Sequence, residues 1–307
     1  MMQTISFPEL AQKYWDLEKD RHGNPDEHQG WRTHIPELND ILGGIHKHWY
    51  IVIGGPQKGG KTAMAVSLLT FFGKSNLKVL PISLEMSDMQ YATRLFANVG
   101  GIDTDKFRDI QLTDEDWKDA KFAKDTISQF EGAFNYGARD IETVHGLVDE
   151  IKPDILFVDY VQLMSSRKVH GKRHEVLAHI SAELKGMTLD YPMAVIALVQ
   201  VGQEAAKSNN FNTAYGFHGS SAFKNDADVA MVIAPVFNPA GEITPEKKRV
   251  HIVASRHSRE DSFDVTFVGA RSLIGGAPKI EKVNMGDVVE ATYGPSSYQR
   301  KKQEEQE

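Results

Sequence analysis

The sequence predicts an α/β protein with a mostly parallel central sheet flanked by helices and an antiparallel extension toward its C-terminal end. Three observations carry that prediction. Short aliphatic runs, "WYIVIGG", "LKVLPISLE", "ILFVDYVQL" and "MAVIALVQV", recur between amphipathic segments such as "TAMAVSLLTFFGK" and "VLAHISAELKGMTLD". Unbroken apolar strands separated by helices describe a sheet buried on both faces. Three more runs, "DVAMVIAPV", "RVHIVASR" and "FDVTFVG", follow one another too closely for helices to intervene, which suits antiparallel pairing. Finally, a glycine-rich turn, "GGPQKGGKT", joins the first strand to the first of these helices.

Composition bounds the rest. The chain has 307 residues, 41% apolar and 25% charged, enough to bury a large core in one domain with short appendages. No apolar run approaches the roughly 18 residues that a membrane span needs. The first 28 residues lack the basic-then-apolar layout of a secretory signal. The absence of cysteine removes disulfides and thiolate metal sites, which fits a reducing cytoplasm. A net charge of -7 excludes a protein coated all over by nucleic acid, so any such contact is local.

Taken in chain order, residues 1–29 form an N-terminal helix and linker. Phe7, Leu10, Tyr14 and Leu17 make one helical stripe, followed by the turn-rich "RHGNPDEHQG". The stripe suits packing on its own domain or docking on a neighbouring subunit. Residues 30–275 carry the main domain. Residues 276–307 are a polar tail expected to be partly disordered, ending in "YGPSSYQRKKQEEQE".

Within the main domain, Gly55-Pro56-Gln57-Lys58-Gly59-Gly60-Lys61-Thr62 satisfies the pattern G-x-x-x-x-G-K-[ST] between a strand and a helix that continues through Ala63. Glycines let main-chain N–H groups turn around phosphate oxygens, and the helix adds its positive end. Lys61 is expected to reach the β- and γ-phosphates of ATP, and Thr62 to ligate Mg²⁺. "ILFVDY" ends in Asp159, a carboxylate at the sheet edge expected to hold the Mg²⁺ through water. Glu85, closing "VLPISLEM", is either a general base for the attacking water or a carboxylate favoured at a helix N-terminus. A small-molecule kinase would need a substrate lid, and the Pro-free helix over 114–131 reads as packing instead.

Several segments then occur in one order: "GWRTHIPELNDILGGIHKHWYIVIGG", "ISLEMSDMQYATRLFANVGGID", "ILFVDYVQLMSS", "LKGMTLDYPMAVIALVQVGQE" and "GFHGSSAFKNDADVAMVI". Together they resemble the C-terminal ATPase domain of DnaB-family replicative helicases, superfamily 4, over Gly30 to about Gly269. The resemblance implies a RecA-like core that assembles into a ring, usually a hexamer, hydrolyses ATP with Mg²⁺, translocates on single-stranded DNA and unwinds duplex. It makes Glu85 the catalytic base, Gln200 the γ-phosphate sensor, and Arg94 a residue near the γ-phosphate or the adjoining interface. Arg256 is implied as the finger that serves a neighbour's nucleotide, with Arg259 in reserve. The family commonly has a Lys two positions before its Arg, where this chain has Ala254.

Two segments then become candidate pore linings. The first gathers Arg167, Lys168, Lys172 and Arg173, and the second, 205–224, carries Lys207, His218, Gly219 and Ser220. His218 stands where the family commonly has Arg. A histidine titrates near neutrality, so DNA binding is expected to be weaker or more pH-sensitive unless Lys207 or Lys224 compensates. About 29 residues precede the match, where full-length family members add a domain linked to primase; this suggests a phage or plasmid version, in the bacterial host cytoplasm, with a separate primase or loader. The alternative reading is a RecA- or KaiC-like DNA-dependent ATPase acting as a recombination filament or assembly scaffold.

Overall fold

A computed structural model describes residues 4–24, 28–201 and 222–275. The chain divides into two units, Arg32–Lys279 and one that contains the N-terminal helix. That helix, α1 (Phe7–Gly23), starts on a capping box between Ser6 and Glu9 and buries none of its residues. Phe7 is 87% exposed and Tyr14 61%. No helix among the described residues is long and apolar enough to cross a membrane.

In the larger unit, α2 (Pro36–Leu42) leads to β1 (Tyr50–Gly55), α3 (Lys61–Lys74), β2 (Val79–Ser83), α4 (Asp88–Gly100), α5 (Thr104–Arg108) and α6 (Asp114–Ile127). Next come α7 (Ile141–Ile151), β3 (Ile155–Asp159), α8 (Arg173–Asp190) and β4 (Ala194–Gln200). After the undescribed stretch stand α9 (Ala222–Asp226), β5 (Val229–Phe237), β6 (Ile243–Ser255), β7 (Asp261–Val268) and β8 (Leu273–Ile274). They make one sheet in the order β2-β3-β4-β1-β5-β6-β7-β8.

The first five strands of that order are parallel, and every pairing from β5 onward is antiparallel. The expected extension therefore begins one strand later than its sequence suggests: β5 runs parallel to β1 on one side and antiparallel to β6 on the other. β1, β2 and β3 are buried at every residue, as their unbroken apolar runs require. α3 is buried from Ala63 to Gly73, so the helix that follows the glycine-rich turn is a core element and cannot shift without repacking. α4 and α6 begin on capping boxes, Ser87 with Gln90 and Thr113 with Asp116. Lys106 closes over Asp116 at 2.7 Å, pinning α6 to α5.

The outer edge of β2 is not bare, although its sequence neighbours give no strand signal. Residues 131–135 run beside it: Val79 N–H donates to Glu131 O (3.0 Å), Ala133 N–H to Val79 O (3.2 Å), Asn135 N–H to Pro81 O (3.0 Å) and Ser83 N–H to Asn135 O (2.9 Å). Pro81 offers only its carbonyl to this edge, which suits an outer strand. Gly132 makes the approach possible. Its φ is +116°, and a Cβ there would sit 2.0 Å from Val79 O. Gly132→Ala is expected to cost about 2–3 kcal/mol and lower Tm by roughly 5–10 °C. Calorimetry checks this, and an unchanged Tm would show that the edge pairing is dispensable.

Candidate nucleotide site

The cradle follows from the turn's own backbone. Lys58 has φ +59° and Gly60 φ +107°, and a Cβ on Gly59 would press on Pro56 O at 2.8 Å. The glycines are thus demanded by the curl of the loop. The first intrahelical bond of α3 runs from Met64 N–H to Gly60 O (2.9 Å). The N–H groups of Lys61, Thr62 and Ala63 precede it and have no intrahelical acceptor, which suits a phosphate. Lys61 Nζ donates to the carbonyls of Gly55 (2.9 Å) and Pro56 (2.8 Å), so the loop holds its own lysine inward. Burial lowers the Lys61 pKa, and the negative charges of Asp159 and Glu85 push it back up.

Asp159 ends β3, only 4% exposed. Burial pushes its carboxyl up to about 6, and the charge of Glu85 adds to this; a hydrogen bond from the Thr62 hydroxyl, then Lys61 and Arg94, act in the opposite direction. Its Oδ2 is buried without a hydrogen-bond partner. An orphaned carboxylate oxygen beside a threonine hydroxyl and a phosphate cradle suits a hard, oxygen-seeking divalent cation, so the residues present fit Mg²⁺.

Strand register brings the remaining candidates to the same edge. Ser83 stands opposite Asp159 in the β2–β3 pair, and Gly55 opposite Gln200 in the β1–β4 pair. Glu85 lies two residues beyond Ser83, exposed, in a turn that Ser83 Oγ shapes through Met86 N–H (3.2 Å) and Met86 O (2.9 Å). The cap of α4 is Ser87, two residues beyond Glu85, so Glu85 lies just before the positive end of that helix. Arg94 donates to Met86 Sδ (3.1 Å) and Ser272 Oγ (3.2 Å), and its charge reaches Asp159. Gln162 is a residue that motif reading passed over, although it lies within "DYVQLM". It clasps the main chain of Gln200, donating to its O (3.0 Å) and accepting from its N–H (3.0 Å).

Arg256 lies elsewhere. It follows Ser255, which pairs with Val229 at the start of β5, at the edge where β1 begins. The six buried residues of β1 separate that edge from the cradle by about 20 Å at ~3.3 Å per residue. Arg256 is thus kept from the phosphate loop of its own chain. Arg259, the reserve, pairs with Asp261 at 3.0 Å. Ala254 faces Ala230 in the β5–β6 ladder.

The basic segment leaves the sheet beside β3, and Arg167, Lys168, Lys172 and Arg173 are exposed. Arg167 Nη2 pairs with Asp140 (2.8 Å), and Arg173 donates to Gln162 O. Glu142 holds the loop's main chain, accepting from Ser166 Oγ (2.8 Å), Arg167 N–H (3.0 Å) and Lys168 N–H (3.3 Å). Lys207, His218, Gly219 and Ser220 lie outside the described residues, as does the tail.

Burial raises the Glu142 pKa, but the N–H of Arg167, the Ser166 hydroxyl and the N–H of Lys168 outweigh it and hold the group at about 2. A depressed folded-state pKa stabilises fully above the ordinary value of 4.5 and loses that contribution as pH falls toward about 2. Glu142→Ala is expected to lower Tm at pH 7 and hasten proteolysis within 165–170. Its deficit relative to wild type should narrow steadily below pH 4.5; a deficit independent of pH would point to packing alone.

Residues 30–273 match the model of the DnaB-like helicase C-terminal domain. Replicative DNA helicase DnaB of Helicobacter pylori is 28% identical over 238 residues, 74% of this chain and 48% of that protein. Its counterpart in Treponema pallidum is 30% identical over 219 residues, 69% of this chain and 50% of that protein. The chain thus spans about half the length of these relatives. Among solved structures, a DnaB-like replicative helicase, described with its interactions with primase, superposes with TM-score 0.76 at 19% identity, covering 90% of this chain and 68% of that one. A KaiC-like protein from Pyrococcus horikoshii superposes less well, at 0.56 and 13%, covering 81% and 99%. The fold is therefore that of the RecA-like ATPase domains, and by the match over residues 30–273 the chain belongs to the DnaB-like helicase C-terminal domain family.

Proposed function

We propose that the chain is the ATP-hydrolysing motor of a ring-forming replicative helicase that translocates on single-stranded DNA and unwinds duplex. The observation that carries this reading is the separation of cradle and Arg256 to opposite edges of one sheet, which calls for a second copy to complete the site. Lys61 and the N–H groups of Gly59 through Ala63, with Gly55 to Lys58 shaping the loop, bind the phosphates. Thr62 and Asp159 hold Mg²⁺, which when bound supplies charge neutralisation to the leaving phosphates.

In this reading Glu85 accepts the proton of the attacking water, at the tip of a turn that leaves its carboxylate exposed. Gln200, fixed by Gln162 beside Gly55, senses the terminal phosphate and passes its state to the segment that follows β4. Arg256 of a neighbouring copy meets the charge that develops on the transferred phosphoryl group, an effect worth about 10³–10⁵ in rate. A closed ring built by repeating this head-to-tail contact, six copies in our reading, would line its centre with Arg167, Lys168, Lys172 and Arg173, together with Lys207, His218, Gly219 and Ser220. In this reading the motor works in the cytoplasm, in contact with a primase or loader.

A filament or scaffold of the RecA or KaiC kind is the second reading, favoured by Ala254 in place of the family's lysine. Forked-DNA strand displacement separates the two. Wild type should unwind with ATP. Lys61→Ala should lose nucleotide binding, and Glu85→Gln should keep it while hydrolysis drops at least ~10²-fold. DNA-stimulated hydrolysis with no displacement would transfer the assignment to the scaffold.

A further inference from the structure

Asp228, buried just before β5, is ringed by donors. Its Oδ2 accepts from Tyr50 N–H at 2.7 Å and from Lys185 Nζ at 2.6 Å. Arg256 Nη1 and His257 Nε2 each lie 3.9 Å from its Oδ1. Its main-chain O accepts from Arg256 N–H at 2.9 Å. Arg256 Nη2 in turn donates to Asn225 O on α9, also at 2.9 Å. His257 stacks on Trp49 with ring centroids 4.6 Å apart and 7° between planes, fixing the turn from its other side.

The way Arg256 is held differs from that of Arg249 and Arg271. Arg249 on β6 is locked to Asp264 through two bonds of 2.6 and 3.0 Å, and Arg271 to Asp103 at 2.8 Å. Such charge-assisted bonds commit a guanidinium to its own chain. Arg256 instead has a fixed main chain, one bond to a neutral carbonyl and a carboxylate at 3.9 Å whose closest ion-pair partner is Lys185. That arrangement orients a guanidinium through a weak field and leaves its remaining donors for another acceptor. Ordering the side chain beforehand spares that entropy when it is used.

We propose that Asp228, anchored by Lys185 and Tyr50, is a positioning residue for Arg256: it aims the guanidinium outward from the end of β6 without clamping it. The inference rests on Arg256 serving the nucleotide of a neighbouring copy.

The test uses the full chain. Asp228→Asn is expected to lower kcat for ATP about 10²-fold while KM stays within about twofold, because the cradle lies at the opposite edge. Mixed one to one with Lys61→Ala protomers, which have a dead cradle and an intact arginine, it should regain activity at about a quarter of the seams. Arg256→Ala mixed in the same way is the control for the trans role. Lys185→Met/Asp228→Asn removes both buried charges together, and should show the same kcat loss and the same rescue with a Tm near wild type; it carries the test should Asp228→Asn fail to fold. An unchanged kcat overturns the proposal. So does a loss that Lys61→Ala protomers do not rescue while they do rescue Arg256→Ala, since the damage would then lie in the chain's own cradle. Failure to rescue Arg256→Ala removes the trans role itself, and this inference with it.

Discussion

The pairing of β1 with β4 on one side and β5 on the other is the constraint from which the rest of the molecule follows. Every residue of β1 is buried, and both partners run parallel to it. A strand buried on both faces offers no chemistry along its length, so reactive groups are confined to its two ends. One end becomes Gly55 and the phosphate loop, with Gln200 in register. At the other end Tyr50 donates its N–H to Asp228, beside Arg256. A single beam thus sets the separation of the phosphate loop at one end from Asp228 and Arg256 at the other.

Two buried carboxylates at the two ends are treated in opposite ways, and the difference tells their roles apart. Asp228 has its oxygen met by an ammonium and a main-chain N–H. Such a group is satisfied and its work is mechanical. Asp159 has one oxygen with no partner, and burial lifts its pKa to about 6. That deficiency disfavours the ionised form, and a bound cation would favour it. A satisfied buried acid suits a structural role, whereas one with an unpartnered oxygen beside a phosphate loop suits a cation.

Much of this was legible in the sequence because it depends on local rules. Unbroken apolar runs marked the parallel strands, the G-x-x-x-x-G-K-T spacing marked the cradle, and Asp159 stood where an apolar strand stopped. What escaped depends on contacts that carry no local pattern. Residues 131–135 pair with β2 through main-chain groups alone, and only Gly132 hints at it. β5 reads like its antiparallel neighbours, yet it pairs with β1, far away in sequence, because a buried strand looks alike in either direction. Gln162 sat inside a quoted motif, but its clasp on Gln200 spans 38 residues. Glu85 stands two residues before the Ser87 cap of α4, a place that sequence spacing alone did not fix.

Charge distribution explains how an acidic chain can still present a cationic surface where one is needed. Arg167 and Lys168 stand on a loop whose main chain is gripped by Glu142, and Arg167 also meets Asp140. These carboxylates subtract charge, yet they fix the direction in which the basic side chains leave the sheet. In a monomer that exchange would be poor, since one exposed cation near a phosphate contributes little at physiological salt. Under the proposed ring it would become favourable, because each subunit would add only one or two ordered cations to a shared track. Ordered placement then matters more than total charge, and a net charge of -7 per chain is compatible with a groove that follows a phosphate backbone.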